Sequence, residues 1–438
     1  MEYLIGLDIG TSSVKAVLMS TDGQTLTHKT KKHTYYTPDG FKTLDADEFC
    51  DGCFEVIKEL TDELSDNDKV LGVCSSGASG NLLFVKDGRA ISPVYGWQTS
   101  FDKEKVDIVM TDIDTDFVYK TVGWPKLYSF PLAGLAYFKQ TNPTLLDDAD
   151  MICMHIEYLN YKLTGKWGIT PSMGTPFFLI NQEDKKYEKK FMDALGIDET
   201  KLPPIMEHCS VLGEIGEYAS QKTGLNTGTP VVLGTFDHPS AARGAGVFDE
   251  GEVLISCGTS WVVFVPLPDR EAPQSKKMLT DPFVYPKGNW CGMKSLTSVS
   301  ETIDKYKKEY LDDISFEELD TLADVAPCGA NGLLIGDNTD ISGYDKSDVA
   351  RAIMESIAIR LDEFLKEYAA DCRTIRMVGG ITKSKVWCRV ISEITGKNVE
   401  VVNGEHAGAV GSAIMAGVGT KLYKNEKQAF NMIYGEEK

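Results

Sequence analysis

The chain has 438 residues, of which 42% are apolar and 25% charged, and it carries a formal net charge of −20 at pH 7. That length calls for two or three domains, and that charge excludes a nucleic-acid binder and opposes docking on an anionic membrane, because both need a basic surface. The start, "MEYLIGLDIG", shows neither a basic leader nor a long apolar segment, and no run reaches the roughly 18 apolar residues of a membrane span, so a cytoplasmic protein with ten reduced cysteines is expected.

In chain order, residues 3–9 and 14–20 read as strands joined by a tight polar turn, and "QTLTHKTKKHTYY" as a third strand after the turn "TDG". A helix is expected over residues 47–64. Phe49, Cys53, Val56, Ile57, Leu60 and Leu64 recur there at helical spacing, which makes Cys53 a core residue. Its near neighbour Cys50 has no second Cys or His pair nearby to complete a metal site. A buried strand follows at 70–74, then a turn-rich stretch in which "KDG" marks a hairpin. Residues 100–225 carry mostly helical patterns broken by Gly and Pro. An apolar strand returns at 231–233. The second half holds strands at "VLISC", "SWVVFVPL" and "WCGMKSL", and a long amphipathic helix over 349–370. After these come strand "TIRMVGG", helix "SKVWCRVISEITG", strand "VEVV" and the small-residue helix "AGAVGSAIMAGVG". Strands alternating with helices imply an α/β protein.

The chain writes Gly-Thr-Ser between apolar runs twice, at Gly10-Thr11-Ser12 and at Gly258-Thr259-Ser260. Such turns offer backbone N–H groups and small hydroxyls to phosphate oxygens. Neither fits the Walker pattern GxxxxGK[ST]. Asp8 stands two residues before Gly10, where a carboxylate next to phosphate calls for a bridging cation, and Mg²⁺ suits one or two carboxylates. Lys15 reads either as a further phosphate partner or as an exposed strand residue. Asp237 follows the 231–233 strand and precedes "HPSAARGAG", with Pro239 suited to a first helical position. Asp237 reads either as a cap or as a carboxylate that accepts a substrate hydroxyl proton. His238 beside it is a substrate contact or a structural histidine. Gly379-Gly380 between strand and helix would let a flat ring approach the backbone, and the pattern is not the GxGxxG of a dinucleotide fold.

As an ordered set these segments resemble the FGGY carbohydrate kinases of the actin-like ATPase superfamily. The resemblance rests on "GLDIGTSSVKAVLMSTDG", "GTFDHPSAARGAGV", "ISCGTSWVVFV" and "VGGITKSKVWCRVISEITGKNVEVVNGEHAGAVGSAIMAGVG", and it spans nearly the whole chain. It implies two actin-like, ribonuclease H-like domains, each a mixed sheet flanked by helices, with a cleft between them. Residues 1–247 would bind sugar and carry the base, and residues 248–438 would bind nucleotide. It implies ATP and Mg²⁺ as cofactors and a small sugar or polyol as substrate, with a pentulose foremost, and family habit points to a homodimer. Asp237 would be the general base and, with Asp8, would face the metal. Gly10, Thr11, Ser12, Lys15, Gly258, Thr259 and Ser260 would face the phosphates, and Gly379, Gly380 and Lys383 the adenosine. Trp97 and Gln98, Gly77 and Ala78, and Asp237 with His238 would surround the sugar. The chain departs from the family's Trp-x-Asp-x-Arg run by placing Thr99 and Phe101 at the acidic and basic positions. It reads Ser76-Gly77-Ala78 where xylulokinase-type members have Gln-Met-His. These departures keep open a glycerol or sugar-acid kinase, and a non-catalytic nucleotide or sugar sensor.

Overall fold

The structure is a computed structural model that describes every residue except 24–25, 259, 285–287 and 436–438. The chain forms two compact units: residues 1–244 with 279–290 and 408–438, and residues 245–278 with 291–407. The change of unit after Gly244 falls close to the expected boundary at 247. The tail does not follow the expectation of one continuous second domain, because residues 408–438 belong to the first unit.

The first unit opens with β1 (Glu2–Ile9), β2 (Ser13–Ser20) and β3 (Leu26–Lys32). Helix α1 (Ala46–Thr61) follows, started by Asp45, whose carboxylate accepts from the backbone N–H groups of Asp47 and Glu48 at 3.0 and 2.8 Å. It buries Phe49, Cys50, Cys53, Val56, Ile57 and Leu60, so both cysteines are free core residues. It ends at Thr61, short of the expected Leu64. Next come β4 (Lys69–Gly77), a largely helical stretch, β5 (Val211–Glu214), β6 (Pro230–Phe236) and α2 (Asp237–Ala245). The "KDG" hairpin is present, with Asp87 and Gly88 both at positive φ as a two-residue turn requires.

The sheet runs β5-β6-β4-β1-β2-β3. β1 and β2 pair antiparallel, as do β2 and β3, while β1, β4 and β6 run parallel. In this register Asp8 lies beside Ser76, Ile9 beside Gly77, and Phe236 beside Gly77. The carboxyl ends of three neighbouring parallel strands therefore bring Asp8, the 76–78 segment and Asp237 to one edge, where open α/β sheets hold their ligands.

The second unit repeats the plan with β7 (Glu252–Cys257), β8 (Trp261–Leu267), β9 (Trp290–Leu296), β10 (Thr374–Gly379) and β11 (Asn398–Glu400), in the order β9-β8-β7-β10-β11. β7 and β8 pair antiparallel, whereas β7, β10 and β11 run parallel. Helices α3 (Lys346–Tyr368) and α4 (Lys385–Thr395) belong to its core through Ile353, Ile357, Leu361, Trp387 and Ile391.

Helix α5 (Ala407–Gly419) returns the chain to the first unit, and α6 (Glu426–Tyr434) ends it. Nearly all of α5 is buried, as suits a helix of small residues that is apolar but for Ser412. The Ser412 hydroxyl reaches the carbonyl of Leu7 on β1 at 2.8 Å, and the Ser240 hydroxyl on α2 reaches the carbonyl of Gly408 at 2.8 Å. One helix thus packs against both the strand that carries Asp8 and the helix that begins at Asp237.

Candidate active site

In the first unit the register closes at Ile9 and Val14, leaving Gly10, Thr11 and Ser12 in the turn, where Gly10 N–H donates to the Ser13 carbonyl at 2.9 Å. Tyr35 Oη donates to the Thr11 carbonyl at 2.7 Å, and Trp97 Nε1 donates to Thr11 Oγ1 at 3.1 Å. Trp97 was expected beside a sugar; its indole N–H is bound to the phosphate-type turn while its ring stays 38% exposed. Tyr35 carries no pattern in sequence that marks it out.

Asp8 is partly exposed, and its pKa is pushed up to about 7, first by burial and then by the neighbouring Asp237; Lys15, its cross-strand partner, works the other way. A Cβ on Gly408 of α5 would lie 2.6 Å from the Asp8 Cγ and Oδ2, so only glycine lets the helix come this close to the carboxylate. Asp237, the first residue of α2, accepts from the His238 N–H at 2.8 Å through Oδ1, and Pro239 falls in the first turn, two residues later than expected. The His238 ring stands edge-on to Phe236. Farther along α2, the fully buried Arg243 donates to the carbonyls of Pro239 (2.9 Å) and Phe283 (2.6 Å) and to Glu426 Oε1 (3.3 Å). Burial alone would raise the Glu426 carboxyl, but His208 and Arg243 hold it well below the usual range.

Around the expected sugar region, Gly77 is buried under the Ile9 carbonyl and Ala78 donates its N–H to that carbonyl at 2.7 Å. Gln98 is exposed. Thr99, at the family's acidic position, is buried; its hydroxyl donates to the Lys42 carbonyl and accepts from the Lys42 N–H, each at 3.1 Å. Phe101, at the basic position, packs among Phe41, Tyr137 and Phe138. Both departures are therefore internal supports. Sequence reasoning also passed over Trp124, which is 8% exposed and stands edge-on to Phe130, Phe178 and Phe236, with a buried Nε1 that has no hydrogen-bond partner.

In the second unit the β7–β8 register closes at Cys257 and Trp261 around the second Gly-Thr-Ser turn. Thr259 lies outside the described residues; Gly258 is exposed and its carbonyl accepts from the Ser300 hydroxyl at 3.2 Å. Gly379 pairs with Cys257, has φ +99°, and leaves no room for a side chain, since a Cβ would lie 2.5 Å from the Cys257 carbonyl. A Cβ on Gly380 would meet nothing within 4 Å. A cavity of about 640 Å³ opens here, lined by Gly258, Trp261, Gly380, Lys383 and Trp387, with Glu317 and Asp320 as carboxylate acceptors that sequence reading did not single out. Lys383 also pairs with Glu405 at 3.2 Å. A pocket of this size lined by indole rings and backbone suits a nucleoside.

Two units of like topology, each with a Gly-Thr-Ser turn after its first strand, define a phosphotransferase of the actin-like ATPase fold. The family model "FGGY family of carbohydrate kinases, N-terminal domain" matches residues 3–244, and its C-terminal counterpart matches residues 324–420. The chain belongs to the FGGY family of carbohydrate kinases and is a carbohydrate kinase. It is similar to the xylulose kinase of Bacillus subtilis (24% identity, covering 97% of this chain and 90% of the relative). It is also similar to the L-xylulose/3-keto-L-gulonate kinase of Escherichia coli (27% identity, covering 98% and 90%). In fold it matches a ligand-bound xylulose kinase from Lactobacillus acidophilus with a TM-score of 0.87 at 18% identity, covering 99% of this chain and 92% of that one. Among the described residues no helix is long and apolar enough to cross a membrane.

Proposed function

We propose that the protein transfers the terminal phosphoryl group of ATP to a hydroxyl of a small neutral ketose, a pentulose foremost, with Asp237 as the general base. The observation that carries this reading is the meeting of Asp8, the 76–78 segment and Asp237 at the carboxyl ends of three adjacent parallel strands, next to the Gly10–Ser12 turn. The relatives named for xylulose favour a pentulose.

Asp237 accepts the proton of the attacking hydroxyl, and the phosphoryl group moves in line onto the oxygen so freed. Gly10, Thr11, Ser12 and Lys15 are assigned to phosphate oxygens, as are Gly258, Thr259 and Ser260. Gly379, Gly380 and Lys383 border the adenosine, with Glu317 and Asp320 able to accept from ribose hydroxyls. Asp237 and His238, Trp97 and Gln98, and Gly77 and Ala78 surround the acceptor, the last two through backbone. Residues 1–247 carry the acceptor side, and the nucleotide side lies within residues 248–278 and 291–407. Asp8 with Asp237 fits Mg²⁺: a carboxyl held at about 7 beside a second carboxyl has unmet need for positive charge, and oxygen donors suit a hard cation. When bound, the ion would neutralise charge on the phosphates. A cytoplasmic location agrees with ten cysteines that form no disulfide. The homodimer implied by the family would be tested by the mass of the protein in solution.

The test is ADP release from Mg-ATP over pentuloses, hexuloses, pentitols, tetritols, glycerol and sugar acids, with Asp237→Asn as control. Turnover of one neutral ketose that vanishes in the variant supports the reading. Preferred turnover of a sugar acid, or an unimpaired variant, overturns it.

A further inference from the structure

Thr11 is held from two directions by side chains outside its own turn. Tyr35 donates to its carbonyl at 2.7 Å and Trp97 Nε1 donates to its hydroxyl oxygen at 3.1 Å. The neighbouring Ser12 carbonyl accepts from the His33 N–H at 3.0 Å. The assignment of donor and acceptor is fixed by chemistry, because an indole N–H can only donate. A hydroxyl that accepts from the indole keeps its own proton and must turn it away from the Trp97 nitrogen.

We propose that Trp97 is a positioning residue for the phosphate turn: its N–H orients the Thr11 hydroxyl so that this hydroxyl donates to an oxygen of the terminal phosphoryl group. The proposal rests on the phosphate role of Gly10–Ser12 given above. Tyr35 sets the backbone of the same residue, and Trp97 sets its side chain. The exposed face of the Trp97 ring remains open to the acceptor, so the group expected to touch sugar and the group expected to touch phosphate form one hydrogen-bonded unit. An acceptor resting on that ring restrains the indole and, through it, the hydroxyl that meets the donor.

The test is calorimetric titration with the Mg²⁺ complexes of the β,γ-imido analogue of ATP and of ADP. Wild type, Trp97→Phe, Thr11→Val and the double variant are compared, with Thr11→Ser as the rescue. Phe keeps a smaller aromatic face and loses the N–H. Each single variant is expected to bind the ATP analogue about fivefold more weakly, the effect of one net hydrogen bond, with ADP affinity within about twofold. The double variant is expected to be no weaker than Thr11→Val, since the two changes break the same link. Thr11→Ser retains wild-type affinity. For the acceptor that wild type phosphorylates, Trp97→Phe lowers kcat. A raised acceptor KM with unchanged analogue affinity, or losses that multiply in the double variant, overturns the proposal and leaves the kinase reading standing. A wild-type protein that binds neither nucleotide overturns both.

Discussion

Replacing Asp8 by asparagine should stabilise the metal-free protein while destroying its activity. Asp8 moves from an ordinary 3.8 to about 7 in the fold, mainly because burial disfavours its charge and Asp237 repels it. Between those values the unfolded chain has released a proton that the folded chain still holds, so stability falls as pH rises through this window and levels off above about 7. The shift of about 3 pKa units corresponds to an upper limit of about 4 kcal/mol. Solvent reaches part of the side chain, so about half of that, about 2 kcal/mol, is the expected gain from a neutral amide at pH 8. For a unit of this size the melting temperature should rise by about 4–8 °C. The assay is scanning calorimetry in chelator at several pH values. The advantage of Asp8→Asn should shrink to roughly a third at pH 5, where the wild-type carboxyl is protonated in the fold. Mg²⁺ added at pH 8 should raise the wild-type melting temperature and leave the variant's unchanged. An Asp8→Asn protein that melts at or below wild type at pH 8 would refute the charge-burial argument.

Asp237→Asn should lower kcat by about 10²–10⁴-fold, the usual contribution of a general base, with ATP affinity by titration close to wild type. Gly408→Ala should displace the Asp8 carboxylate, because its methyl would fall 2.6 Å from Oδ2; the readout is a raised Mg²⁺ requirement for turnover together with a lower melting temperature. Arg243→Met should cost about 3–5 kcal/mol in urea unfolding, since it leaves the carboxylate of Glu426 without its buried guanidinium partner; a loss below 1 kcal/mol would contradict that.

Much of the local structure of the candidate site was legible in the sequence. Apolar residues on each side of Gly-Thr-Ser announce strand, turn, strand, and Ile9–Val14 and Cys257–Trp261 close those turns as expected. Asp237 could be read because a strand ends directly before it and a helix begins at it. Tyr35 and Trp124 were not legible, since their importance lies in contacts with residues 24 positions or more away or in the lack of a partner, and neither leaves a periodic mark. The sequence marked α5 as a helix of small residues, but not what packs against it. Only the register of β1 and the start of α2 reveal why small residues line it.

The return of α5 to the first unit also bears on how the chain is made. A ribosome releases residues 1–244 long before residues 408–438 exist, and at about 5–20 residues per second the intervening segment takes about ten to thirty seconds to synthesise. Throughout that interval the backs of β1 and α2 lack the helix that covers them. The nascent first unit therefore waits as an incomplete body with apolar surface exposed, a natural client for chaperones, and a fragment ending at Gly244 would remain in that condition indefinitely.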